Sequence, residues 1–291
     1  MKLRQIRHNR WNIGFIESNI KNALNLNSNS IHWAKKKFTD RWFADPFILE
    51  YDEKEIIILA EEFDYDLAKG RIARVIFDRK TYEEVSFEII LELPLHLSFP
   101  FIIRKEKEIY LMPENSLSGH STIFKYEDST RIITPIKQIS NQPFTDATII
   151  DIVGSRFLLT TQRPDPNGNN LSIYKFNYNT FSIDNVPLIK EFSSKKARNA
   201  GEFFTVDDKI YRPAQDCNKC YGHGVIIQEI IKKGDCWEFE DKNSFYPTNF
   251  NYNLGIHTLN HYKDLIVFDC NGYRYPILGR IANMLLSLIG K

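Results

Sequence analysis

The 291-residue sequence has almost no net charge: 38 Lys and Arg stand against 37 Asp and Glu, leaving +1. That balance removes any bulk electrostatic case for nucleic acid or an anionic membrane as partner. Cysteine is scarce, with four residues. Cys217 and Cys220 have the spacing of half a zinc site, but Cys236 and Cys270 form no second close pair, so ordinary packing of reduced thiols is expected and no metal. No stretch reaches the ~18 consecutive apolar residues of a membrane-spanning helix. The start, MKLRQIRHNRWNIGF, is basic but carries neither a continuous apolar region nor a small-residue cleavage pattern, so no signal peptide is read and a cytoplasmic location is expected. The phosphate-binding GxxxxGK[ST], the dinucleotide-binding GxGxxG and the metalloprotease HExxH are all missing, and no cofactor is expected.

What is present is a substantial apolar fraction, 43%, with 26% charged residues, enough for one large core. Aromatic residues make up 13%, including 21 Phe and 14 Tyr. Such rings pack well on pleated surfaces and favour a β-rich chain; they also supply platforms on which sugars stack.

Five stretches share one grammar of an apolar run, a charged or Gly-containing turn and a second apolar run. They are ADPFILEYDEKEIIILAEEF, HLSFPFIIRKEKEIYLMPEN, FTDATIIDIVGSRFLLTTQR, NAGEFFTVDDKIYRPAQD and GIHTLNHYKDLIVFDCNG. Their landmarks Asp45, Ser98, Asp146, Gly201 and His257 recur about every 50 residues, the interval of a four-stranded antiparallel unit. Further strand candidates follow in RIARVIF, STIFKY, LSIYKF and VIIQEIIKK. The expected fold is all-β: a five-bladed β-propeller of four-stranded antiparallel sheets, one domain over residues 1–291. A β-sandwich also uses short strands but gives no reason for the wording to return five times. At the end, YRYPILGRIANMLLSLIGK predicts a short helix over 278–290, with its apolar density at 281–288, docked on the body; contact with a membrane interface is the alternative.

In a propeller the innermost strands line a central channel, so residues just before them converge at one end. Asp45 and Asp146 are thereby expected to meet in a shared pocket, with His257 from the fifth blade. The ends of the second strands add Glu61, Glu62, Glu114, Gln162, Arg163, Arg212, Gln215 and Asp216, and Tyr221 follows.

The phrases WFADPFI, EEF followed by GRI, HLSFPFI, YLMPEN, IYRPAQDCNKCYGHG and GIHTLN, running from about Trp42 to Asn271, resemble the bacterial propeller domain related to the N-terminal domain of plant glucosamine inositolphosphorylceramide transferases. That family lies in a wider five-bladed group similar to arabinanases, invertases and levansucrases. The resemblance implies a first-blade base or nucleophile at Asp45 and a third-blade aspartate, Asp146, that orients the sugar or tunes the acid. In the plant proteins the transferase chemistry resides in a separate domain with no counterpart in this sequence.

Glycoside hydrolysis also needs a protonated carboxyl to donate to the leaving oxygen. Glu114 is the first choice, since an apolar neighbourhood at a strand end would raise its pKa; Glu202 and Glu62 follow. Glu62, Arg163, Arg212, Gln215, Asp216, Tyr221 and His257 are the substrate-binding candidates. Each has a structural alternative: a turn carboxylate for Asp45, an interblade ion pair for Glu62, an Arg212–Asp216 pair, packing for Tyr221 and a satisfied rim histidine for His257. The function expected is a carbohydrate-active enzyme, a glycoside hydrolase or transglycosylase acting on a surface polysaccharide or its precursor. The alternative is a noncatalytic carbohydrate-binding or assembly propeller. The partners expected are a glycan or glycan precursor and polysaccharide-biosynthesis proteins.

Overall fold

A computed structural model describes residues 9–25, 31–152 and 154–289. Five antiparallel sheets form the blades, and one helix follows them. Blade I is Arg41–Tyr51, Glu55–Asp64, Lys69–Asp78 and Glu84–Leu91; blade II is Ser98–Lys105, Glu108–Glu114, Ser121–Glu127 and Ile132–Ser140. Blade III is Phe144–Ile152, Ser155–Gln162 and Asn170–Asn177, whose outer edge pairs with both Ser182–Ile183 and Leu188–Glu191. Blade IV is Phe204–Val206, Lys209–Asp216, Gly224–Lys233 and Cys236–Phe245.

Blade V is built from both ends of the sequence. Its inner strands are Leu259–Tyr262 and Leu265–Tyr273, and its outer strands are Asn9–Glu17 and His32–Trp33. Nine consecutive residue pairs, from Asn9 opposite Tyr273 to Glu17 opposite Leu265, close the ring. The fifth repeat is therefore completed by an N-terminal strand rather than by residues that follow it.

Strand burial explains the composition. The second strand of blade I, EIIILAEEFD, is buried from Ile56 to Glu62 because neighbouring blades cover both faces, whereas outer strands such as Ile132–Ser140 are largely exposed. The core consequently lies between blades. Phe47 of blade I meets Phe99 of blade II edge to face at 5.0 Å, and Phe157 of blade III meets Trp237 of blade IV in the same way at 4.9 Å.

Helix α1, Pro276–Ile289, begins two residues before the expected start. Its proline stands in the first turn, where a missing N–H costs nothing. Gly279 and Ala282 face the body, and a Cβ at Gly279 would lie 2.5 Å from the Tyr273 ring.

Candidate functional site

In blades I to III the inner strand opens with the same bulge. Pairing skips from Ala44 to Phe47, from Ser98 to Phe101 and from Thr145 to Thr148. The first skipped residue has a left-handed backbone each time: Asp45 (φ 48°), Phe99 (φ 43°) and Asp146 (φ 46°). Non-glycine residues held there are strained, and such strain concentrates at functional sites. The second-blade counterpart of the two aspartates is thus Phe99, one residue beyond the Ser98 landmark. In blade IV the turn is made by Gly201 (φ 148°), where a Cβ would come within 2.1 Å of the Leu259 carbonyl oxygen.

Carboxylates from neighbouring strands and blades receive the bulge amides. The Asp45 N–H donates to Asp269 Oδ2 at 2.9 Å, the Phe99 N–H to Asp45 Oδ2 at 3.0 Å, and the Asp146 N–H to Glu114 Oε2 at 3.3 Å. The Thr258 hydroxyl donates to Asp45 Oδ1. Burial pushes the Asp45 carboxyl above the usual carboxylate range, against the opposing pull of His257 and the Thr258 hydroxyl. His257 Nδ1 lies 2.8 Å from Asp269 Oδ2 and 3.5 Å from Asp45 Oδ1. Burial alone would lower this imidazole, but the two carboxylates outweigh it and raise its pKa to about 9. His257 is therefore an imidazolium at neutral pH, stacked on Trp11 at 3.8 Å.

Arg198 joins the third-blade group. Its Nε donates to Asp146 Oδ2 at 2.6 Å and its Nη2 to Glu114 Oε2 at 3.4 Å, while Gln215 Nε2 donates to Asp146 Oδ2 at 2.9 Å. Burial drives Asp146 well above the ordinary range in spite of Arg198. Glu114 goes the other way. Burial would raise it, but Arg198, the Asp146 amide and the Ser116 hydroxyl together hold it below the ordinary value. The expected raised acid at Glu114 is thereby corrected, because the guanidinium beside it stabilises the anion.

A cavity of about 280 Å³ opens above these groups. Its walls include Trp11, Trp42, Glu61, Phe63, His96, Glu114, Arg163, Arg198, Tyr221 and His257. Asp45 and Asp146 lie beneath it as buried partners of His257 and Arg198. Trp42 and Phe63 stack in parallel 4.7 Å apart, and the Arg198 guanidinium lies 4.7 Å from the centre of the half-exposed Tyr221 ring. Glu61 Oε1 is 3.2 Å from His96 Nε2. Burial raises the Glu61 carboxyl, which in turn overcomes burial at His96 and raises that imidazole.

The structure brings together Asp45, Glu114, Asp146, Arg163, Tyr221 and His257, but it places several candidates elsewhere. Glu62 does not line the cavity: its carboxylate takes Arg41 Nη1 and, at 2.9 Å, Arg71 Nε, because alternation along the strand sends it to the opposite face from Glu61. Arg212 is fully buried inside blade IV, donating to Asn199 Oδ1 and to Gln228 Oε1 between Phe192 and Phe239. It does not pair with Asp216, which accepts from Asn218 and from the Tyr246 hydroxyl at 2.8 Å. Gln215 supports Asp146 from below. Glu202 is absent from the cavity wall; burial raises its pKa to about 7 against the opposing effect of Arg104.

Sequence reasoning passed over Arg198, His96, Trp11, Trp42, Phe63 and Asp269, and it placed Glu61 near the mouth but preferred Glu62 as the site residue. The alternation rule carried a usable signal for Glu61, while Trp11 required knowledge of how blade V closes. Among the described residues, Asp45, His257 and Asp269 form the group whose ligand atoms lie within 4.8 Å of one another. They do not fit a cation. Asp269 Oδ1 already accepts the His257 and Thr258 amides, and Oδ2 accepts the Asp45 amide and faces His257 Nδ1, so no lone pair is left. The four cysteines are free.

Solved structures share this architecture at low identity. A β-xylosidase, RS223, superposes with a TM-score of 0.58 and 9% identity, covering 80% of this chain and 93% of its own. A GH43 β-xylosidase/α-arabinofuranosidase from a compost microbial metagenome gives 0.53 and 12%, covering 82% and 92%. Among curated relatives, glucosamine inositolphosphorylceramide transferase 1 of Arabidopsis thaliana is 27% identical over 210 residues, and that of Oryza sativa subsp. indica 25% over 203. These matches cover 68% and 67% of the chain but only 27% of each relative's length. The family model described as glucosamine inositolphosphorylceramide transferase 1, N-terminal, matches residues 23–249, and the chain belongs to that family.

Proposed function

We propose that the cavity binds a glycan or glycan precursor, and that recognition is its principal task. The observation that carries this reading is the conjunction, in one opening, of aromatic faces with a row of hydrogen-bonding charges. Tyr221 and the Trp42–Phe63 pair offer flat apolar surfaces, and Glu61, His96, Glu114, Arg163 and Arg198 offer donors and acceptors beside them. Sugars present the same division, with C–H faces that stack and hydroxyls that bridge a carboxylate and a guanidinium. The transferase names of the sequence relatives and the glycosidase names of the structural ones support a carbohydrate ligand, and the former favour a setting in glycan assembly. Glycan titration tests it: Tyr221→Ala and Glu61→Gln should each weaken binding at least about tenfold, while Glu62→Gln should leave it unchanged. Equal affinity in all four proteins contradicts the reading.

Cleavage or transfer of a glycosyl unit is the second reading, favoured by one specific observation: Glu61 lines the cavity with its carboxyl raised by burial. Under it Glu61 replaces Glu114 as proton donor and Asp45 acts as base or nucleophile. The occupation of both Asp45 oxygens, by the Phe99 amide and the Thr258 hydroxyl, weighs against that role. With a verified substrate, Glu61→Gln should cost ~100-fold or more in turnover if this chemistry operates. Turnover retained in E61Q removes it.

A further inference from the structure

We propose that a groove between blades I and V continues the cavity and binds the further sugar units of an oligosaccharide whose terminal unit occupies the cavity. The groove has a volume of about 720 Å³, and its walls include Asn9, Trp42, Phe63, Tyr65, Leu254 and Tyr273. Trp42 and Phe63 belong to both openings. The inference rests on the glycan reading of the cavity and extends it from one sugar to a chain.

Strand alternation carries both walls outward. On the blade I side Glu61 and Phe63 line the cavity, and Phe63 and Tyr65 line the groove. Residues two apart face the same side of an extended chain. The pairing persists past the end of the strand, where the Tyr65 N–H donates to the Asp40 carbonyl at 3.2 Å. On the blade V side Trp11 lines the cavity and Asn9, two residues back, lines the groove with Tyr273 directly opposite it. Each wall therefore runs from cavity to groove without a change of strand. At ~3.3 Å per residue the path from Glu61 to Tyr65 is about 13 Å, too long for a single sugar ring. The cavity alone, at about 280 Å³, falls just below the ~300–1,000 Å³ of small-ligand pockets, and with the groove it reaches the upper end of that range.

The chemistry of the lining changes along that path and selects the occupant. The cavity presents Glu61, His96, Glu114, Arg163 and Arg198. Among the described residues the groove wall holds no carboxyl, guanidinium, ammonium or imidazole group, and four of its side chains are aromatic. Flat rings fit the C–H faces of sugars, and the exposed Asn9 amide can donate and accept beside them. An alkyl chain would cover that amide without giving it a hydrogen-bond partner. Trp42 and Phe63, parallel within 3°, form the wall common to both openings. The Arg274 guanidinium lies 4.5 Å from the centre of the Tyr65 ring, a contact that restrains the outer platform.

A length series provides the test. The full chain is screened on an array of glucose, galactose, xylose, arabinose and N-acetylglucosamine oligosaccharides running from the monosaccharide upward, and the sugar bound best is titrated as its mono-, di- and trisaccharide. Affinity should rise at least about tenfold from the monosaccharide to the trisaccharide. Tyr65→Ala, in the groove and outside the cavity wall, should cut the ratio of trisaccharide to monosaccharide affinity by about the same factor; Tyr65→Leu serves if the alanine impairs folding. Tyr221→Ala should weaken both ligands together. Equal affinity for the monosaccharide and the trisaccharide, or a ratio that the Tyr65 variants do not change, overturns the groove and leaves the cavity reading standing. An octyl glycoside of the same sugar that binds more tightly than the trisaccharide also overturns it, because the groove would then take an apolar chain. Binding to no sugar on the array removes the cavity reading and this inference with it.

Discussion

The Phe99 amide donates to Asp45 Oδ2 at 3.0 Å, and the two residues occupy the same left-handed bulge in adjacent blades. Asp45 therefore acts as a clasp between blades I and II, with Thr258 and His257 adding blade V. Asp45→Asn keeps a residue suited to this backbone, but it turns an amide donor toward groups that already donate. A loss of about 1–3 kcal/mol in urea unfolding is expected. Any activity loss in D45N must be read beside that destabilisation, so Glu61→Gln is the cleaner probe of chemistry.

His257 predicts a pH signature. Its folded pKa of about 9 lies above its ordinary value of 6.5, so its stabilising contribution is complete below about pH 6.5 and disappears as pH rises through about 9. Urea unfolding should show stability falling across that window, and His257→Gln should flatten the fall. A wild-type profile flat from pH 6.5 to 9 would show that His257 is not held as an imidazolium.

The Arg198 guanidinium bonds both Asp146 and Glu114. Arg198→Met leaves two buried carboxyls uncompensated, and a cost of about 3–5 kcal/mol is expected. The double variant R198M/E114Q should recover part of it, since one of the stranded charges is then gone. Strict additivity of the two single effects would argue against the shared cluster.

The adjacent glutamates of blade I separate structure from ligand contact. Glu62, wholly buried between Arg41 and Arg71, should cost about 2 kcal/mol when changed to Gln, with no effect on glycan affinity. Glu61 should show the converse: little change in thermal unfolding and weakened binding. Equal effects in the two variants would mean that the alternation seen along this strand does not govern the cavity.

The repeat of Asp45, Ser98, Asp146, Gly201 and His257 was enough to read five blades, because inner strands buried on both faces leave long apolar runs. Outer strands such as Ile132–Ser140 bury too little to leave such a trace. The closing strand Asn9–Glu17 has no repeat partner close in sequence, since the residues it pairs with lie 248 to 264 positions away, and Trp11 went unnoticed with it. Arg212 looked like a ligand-binding fork because residue type and strand-end position carry no information about which face a side chain takes. Arg198 lies just before the inner strand of blade IV, in a connection whose path is set by Gly201 and the neighbouring blade rather than by local sequence.

A structure determined with an oligosaccharide bound decides most directly whether the cavity is the glycan site. The sugar is expected in the cavity beneath Tyr221, with hydroxyls bonded to Glu61 or His96 on one side and to Arg198 or Glu114 on the other. A glycan seated on an outer blade face, with no contact to those residues, would contradict it.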